Sequence, residues 1–127
     1  MPKVPKLAQS EWKVMRVLWA SDKPMPAYDI IQKLSATTDW QPKTIKTLLN
    51  RLLKKGAVRF KRYKNLYLYY PLLTEAACVK AESDSFVKRC FDGALEPMLA
   101  HFVQQRKLKP SEIQELKRIL DVKESCN

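Results

Sequence analysis

Apolar residues recur at helical spacing through the first half of the chain, in blocks separated by proline, glycine and polar connectors. Trp12, Met15, Val17, Leu18 and Trp19 mark an amphipathic segment over 10–20, with Lys13 and Arg16 opposite and Ser10 or Gln9 available as a cap. Asp22-Lys23-Pro24-Met25-Pro26 interrupts it. Tyr28, Ile30, Ile31 and Leu34 then predict a short helix over 27–34, with Pro26 where a first-turn proline is tolerated because the amide it lacks would be unbonded. A polar connector ending in Asp39-Trp40 leads to the best-bounded element, a helix over 42–55 opened by Pro42 and closed by Gly56. Ile45, Leu48, Leu49, Leu52 and Leu53 form one stripe on it, and Lys43, Lys46, Thr47, Asn50, Arg51 and Lys54 occupy the other face.

After Gly56 the pattern changes to aromatic and branched residues over 58–63 and 66–70, with Lys64-Asn65 between them as a tight turn. Two strands alone are marginal, so this hairpin needs helical support. Pro71 closes it. Beyond it the spacing is helical again, over 74–91, 96–106 and 110–122, with Gly93 and Lys107-Leu108-Lys109 as breaks. Ser111 with Gln114 offers a capping box for the last helix, and Pro110 at its first position is an equally good start. The fold class expected is mainly α with a small β-hairpin. A winged helix-turn-helix over 1–72 is followed by a helical dimerisation domain over 73–127.

Charge sharpens this division. Residues 1–71 carry 15 Lys and Arg against 4 Asp and Glu, whereas 72–127 carry 9 against 9, so the whole net charge of +11 lies in the first half. Between Gln41 and Lys64 there are 9 basic residues and no acidic one. Solubility does not require such segregation; a polyanionic partner explains it. Lys and Arg suit phosphates, Thr and Asn reach base edges, and the start of the 42–55 helix offers backbone amides to an anion. The candidate DNA contacts are Trp40, Lys43, Thr44, Lys46, Thr47, Asn50, Arg51, Lys54, Arg62 and Lys64. Lys46, Thr47, Asn50 and Arg51 are the candidate base readers, Arg51 suiting a guanine and Asn50 an adenine. Non-specific nucleic-acid binding and docking of an acidic protein partner are the alternatives.

The neutral half carries its own stripes, Leu95, Met98, Leu99, Phe102 and Val103 on one helix and Ile113, Leu116, Ile119 and Leu120 on the next. Short helices without a sheet bury little surface alone, so pairing with a second copy is expected. No stretch approaches a membrane span, and the N-terminal residues lack an export signal, so a cytoplasmic protein without direct membrane association is expected. Cys78, Cys90 and Cys126 are then expected as reduced thiols. Cys78 and Cys90 point to different faces of one helix, and with His101 as the single histidine neither a metal site nor a nucleophile–base pair is indicated. No cofactor and no catalysis are expected.

The run Asp39-Trp40-Gln41-Pro42-Lys43-Thr44-Ile45-Lys46-Thr47-Leu48, followed by Arg51-Leu52 and Lys54-Lys55-Gly56, strongly resembles the penicillinase repressor family of the BlaI/MecI type. Glu11-Trp12-Lys13-Val14-Met15, Leu18-Trp19, Tyr69-Tyr70-Pro71-Leu72, Phe102-Val103, Ile113-Gln114-Glu115-Leu116 and Ile119-Leu120 extend the likeness over nearly the whole chain. The resemblance implies a homodimeric repressor of resistance or stress genes that binds a two-fold symmetric operator. It also implies, as a further partner, a membrane sensor-protease pathway that cuts the dimer domain. The family's cut falls at an asparagine-phenylalanine bond; the equivalent pair here is His101-Phe102, so the first residue departs from the pattern. A copper-sensing branch carries a C-terminal cysteine cluster, and the single Cys126 of this chain does not match it.

Overall fold

The computed structural model describes residues 4–105 and 108–125. The chain divides into two compact units, 1–83 and 84–127. The first unit holds α1 (Gln9–Ala20), β1 (Met25–Pro26), α2 (Ala27–Ser35), α3 (Pro42–Lys55), β2 (Val58–Tyr63) and β3 (Leu66–Pro71). This is a winged helix-turn-helix, and the whole chain is mainly α. Helix α4 (Glu75–Phe91) begins in the first unit and ends in the second, which also contains α5 (Leu95–Gln105) and α6 (Pro110–Ser125).

The stripes read from the sequence meet in one core. Val14, Met15 and Leu18 of α1, Ile30 and Leu34 of α2, and Ile45, Leu48, Leu49 and Leu52 of α3 are buried together with Val58 and Ala57. Trp12, Trp19 and Trp40 pack against its edge. The first unit extends past residue 72 because α4 contributes to the same core: Cys78 is buried in it, and burial pushes its thiol pKa up. The Trp19 indole N–H donates to the Leu73 carbonyl at 2.9 Å, fixing the chain just before α4.

Helix α3 ends as its glycine predicts. Gly56 adopts φ 77°, the left-handed conformation that costs a side chain but not glycine. The Ala57 amide donates to the Leu52 carbonyl and the Gly56 amide to that of Leu53, so the last turn closes on itself. The Ala57 carbonyl then accepts from the Leu72 amide at 2.9 Å, tying the foot of the hairpin to α3.

The sheet has three antiparallel strands in the order β1-β3-β2, one more than the hairpin the sequence pattern suggests. Val58 pairs with Pro71 and Tyr63 with Leu66, and on the other side of β3 Met25 pairs with Tyr69 and Pro26 with Leu68. The segment around Met25 reads as a helix break because two prolines flank it. Backbone pairing and burial of Met25 turn it into a two-residue edge strand, where a proline is tolerated. Lys64 takes φ 56° in the turn, the positive dihedral that a two-residue hairpin loop demands.

Helix starts differ in detail from the sequence expectation. The N-cap of α1 is Ala8, whose amide donates to the Glu11 carboxylate at 2.7 Å. Helix α6 starts at Pro110, one of the two starts expected, and the Lys109 amide donates to the Glu112 carboxylate at 2.9 Å, so Glu112 and not Gln114 reaches back over the first turn. Thr74 precedes α4 and its hydroxyl accepts from the Ala77 amide at 3.1 Å.

The second unit is organised differently. Val87 is its single buried hydrophobic side chain among the described residues. Phe86, Phe91, His101 and Phe102 form a chain of ring contacts, with Phe86 and Phe102 stacked at 6.4 Å between centroids. Apart from the half-buried Met98, the remaining large apolar side chains of α5 and α6 are exposed.

Candidate nucleic-acid interface

Helix α3 packs Ile45, Leu48, Leu49 and Leu52 inward, and at 100° per residue this leaves Lys43, Thr47, Asn50 and Lys54 in the centre of the opposite face. All four are exposed, and Lys46 and Arg51 flank them on either side. No side chain caps the start of the helix at Gln41, so its positive end is open, with Thr44 exposed in the first turn. The Thr47 hydroxyl donates to the Lys43 carbonyl at 3.0 Å, which fixes its rotamer and turns its methyl group to a defined side. The outer face thus combines cations, an amide and a methyl group, with no carboxylate between Gln41 and Lys64 to repel a phosphate.

The hairpin continues the cationic surface. Strand alternation puts Arg59 and Lys61 on one face and Arg62 on the other, and Lys64 sits at the tip with its ammonium 5.5 Å from the Tyr63 ring centre. Phe60, Arg62, Tyr67 and Tyr69 share a face, with Phe60 and Tyr67 at 4.6 Å between rings. Arg59 and Lys61 are exposed cations of the wing that the candidate set omits; the alternating pattern over 58–63 was the signal for them.

Trp40 and Arg51 have side-chain partners on α1. Trp40 is half-buried against the core, and the Lys13 ammonium lies 5.5 Å from its ring centre. Arg51 is 49% exposed and its Nε stands 3.6 Å from Oε2 of Glu11. Glu11 is fully buried at the junction of α1 and α3. Its Oε1 accepts from the Ala8 amide and from the Lys55 ammonium at 2.6 Å, and Lys55 also donates to the Lys6 carbonyl at 2.9 Å. Burial raises the Glu11 pKa, but the Lys55 hydrogen bond, the Ala8 amide and the charges of Lys55 and Arg51 outweigh it and hold the carboxyl below its ordinary value. Sequence reasoning missed Glu11 as part of the site. The signal was its place four and seven residues before Met15 and Leu18, on the buried stripe of α1.

Among the described residues no group of His, Cys, Asp and Glu is arranged to hold a metal ion, and no helix is long and apolar enough to cross a membrane. Cys78 is buried and Cys90 exposed; Cys126 lies outside the described residues.

The penicillinase repressor family model matches residues 7–122. The chain belongs to that family. It is 36% identical over 121 residues to the penicillinase repressor of Bacillus licheniformis, spanning 95% of this chain and 94% of that protein. It is 34% identical over 117 residues to the methicillin resistance regulatory protein MecI of Staphylococcus aureus, spanning 92% of this chain and 94% of that one. Family members of this kind are transcriptional repressors and not enzymes. The solution structure of the DNA-binding domain of the repressor BlaI superposes with a TM-score of 0.54 at 36% identity, covering 61% of this chain and 93% of that domain. The Bacillus licheniformis BlaI monomer in complex with the blaP half-operator matches equally well. In the family's winged-helix unit the open cationic face of α3 is thus part of a fold solved on DNA in a relative.

The positions expected to mediate dimerisation lie on two neighbouring helices. Leu95, Met98, Leu99, Phe102 and Val103 are on α5, and Ile113, Leu116, Ile119 and Leu120 are on α6. Met98 and Phe102 are half-buried and the other seven are exposed, Leu120 at 61%. The His101–Phe102 bond sits within α5, with His101 exposed.

Proposed function

We propose that this chain is a DNA-binding transcriptional repressor that acts as a homodimer on a two-fold symmetric operator. Helix α3 enters the major groove and reads bases through Lys46, Thr47, Asn50 and Arg51. Lys43, Thr44 and Lys54 contact flanking phosphates, and the wing lays Arg62 and Lys64 on the backbone beside the groove. Trp40 supports the start of α3 from the core side. The observation that carries this reading is the exposed, carboxylate-free face of α3, held rigidly by a buried stripe and a glycine stop. The BlaI complex with its half-operator supports the same use of the same unit.

The dimer rests on the apolar faces of α5 and α6. Side chains such as Leu95, Leu99, Leu116 and Leu120 gain nothing from water, and a second copy of the same surface would cover them. The penicillinase and methicillin resistance repressors among the relatives favour resistance or stress genes as targets. Release follows from cutting His101–Phe102 by a sensor-protease pathway. Because that bond is helical, α5 must unwind before a protease can bind it in extended form.

Selection of bound duplexes from a random DNA library at near-physiological salt tests the central claim. Enrichment of an inverted repeat with half-sites about one helical turn, or a multiple of it, apart is the expected outcome. Binding without enrichment would leave only the electrostatic term and would refute operator reading. For the cut, co-expression with a cognate sensor protease under induction should yield a fragment ending at His101; an intact chain would dismiss this bond.

A further inference from the structure

The buried carboxylate beneath α3 divides its two oxygens between different tasks. Oε1 is fully engaged by the Ala8 amide and by Lys55, which the Lys6 carbonyl also holds. Oε2 is buried and has no hydrogen bond, and Arg51 forms an ion pair with it, approaching through Nε at 3.6 Å. A buried carboxylate oxygen without a counter-charge is costly, so Arg51 is held on this side of α3. Contact through Nε engages the inner edge of the guanidinium and leaves its terminal nitrogens for another acceptor. The side chain remains half exposed on the flank of the outer face.

We propose that Glu11 is a positioning residue for sequence recognition: through Oε2 it anchors the Nε edge of Arg51 and presents the terminal nitrogens to a base edge in the groove. This rests on the reading of α3 as the groove-entering helix and goes further by naming what orients its arginine. An unpaired arginine loses rotamer freedom when it meets a base, whereas one already drawn through Nε towards a buried carboxylate loses less. A lysine at the same position would keep the charge but lack both the anchor atom and the planar fork.

The test is a double-mutant cycle on the full-length chain with Glu11→Gln, Arg51→Ala and the pair, on the selected operator and on its single-base variants. Glu11→Gln should weaken operator binding by about fivefold and lose discrimination at one base pair of each half-site, with random-duplex binding nearly unchanged. In the Arg51→Ala background it should add nothing. Equal effects in both backgrounds, or equal loss on every sequence, would overturn the proposal. Arg51→Lys, an exposed change, covers the case in which Glu11→Gln does not fold: it should lose the same base discrimination with an unaltered salt dependence. Retained discrimination with lysine would also overturn the proposal. Lys54→Ala separates this idea from the one beneath it. If an inverted repeat is enriched and Lys54→Ala weakens all duplexes while the cycle is additive, the anchor alone fails; if no repeat is enriched, operator reading fails with it.

Discussion

The two units of this chain spend their apolar residues in opposite ways. In the first, three helical stripes and the foot of a small sheet close over Met15, Leu18, Ile45 and Leu52, which are almost wholly shielded from water. Its exposed surface is then free to be cationic. In the second, α5 and α6 bury almost nothing within the unit, and Leu95, Val103, Leu116 and Leu120 stand in solvent although they are as apolar as the core of the first. The first unit is complete as a fold and open towards a polyanion. The second carries 8 Lys and Arg against 7 Asp and Glu and leaves apolar faces uncovered, which the proposed homodimer would bury. Under the proposed function, the charged uncovered surface is the reader of DNA and the apolar uncovered surface is the coupler of two readers.

All three tryptophans, Trp12, Trp19 and Trp40, lie in the first unit, so their fluorescence follows that unit and reports its unfolding separately from the second. The largest effect is expected for Leu52→Ala, a fully buried position whose truncation should cost about 2–5 kcal/mol in urea unfolding followed by tryptophan emission. A loss below about 1 kcal/mol would mean that the first core is not closed. Next, Leu116→Asp with Leu120→Asp should convert a dimer to a monomer by sedimentation and weaken operator binding by about 100-fold, since one half-site then binds without its mate. The tryptophan-reported midpoint should stay where it was; a matching drop would show that α6 stabilises the first unit instead of coupling two copies.

A smaller effect concerns Glu11. Its folded pKa lies below its ordinary value of 4.5, so it adds stability that is fully present above that value and is lost as pH falls through the lower folded one. Acid unfolding of the first unit should therefore steepen below about pH 4.5, and Glu11→Gln should remove that steepening. An unchanged acid limb in the variant would deny the carboxylate its part in joining α1 to α3. The smallest change is expected at the wing tip. Lys64→Gly relieves a side chain held at φ 56° and should stabilise the hairpin by about 1 kcal/mol or less. It should also lower the slope of log affinity against log salt by about 0.9 if Lys64 meets a phosphate. An unaltered slope would remove the tip from the interface.

The recognition surface was legible residue by residue where periodicity is strong. Pro42, the Ile45–Leu53 stripe and Gly56 determine α3, its burial and its stop, because each acts within a turn or two of its own position. The charge asymmetry between the two halves was equally visible, since charge needs no fold to be counted. Met25 and Glu11 were not legible in the same way. A two-residue strand has no period of its own, and Met25–Pro26 becomes one only because Tyr69 and Leu68 arrive beside it from far along the chain. Glu11 is a polar residue on an apolar stripe, and its burial is tolerable only because Lys55 and Arg51 arrive from α3 to neutralise it.

Local spacing, composition and motif specify the helices, the wing, the cationic first half and the family. Tertiary structure alone decided the third strand, the membership of Cys78 and the start of α4 in the first core, and the capture of Arg51 by Glu11. The physical reason is common to these: pairing a short edge, closing a core and neutralising a buried charge each need groups far apart in the chain, and no local pattern carries that information.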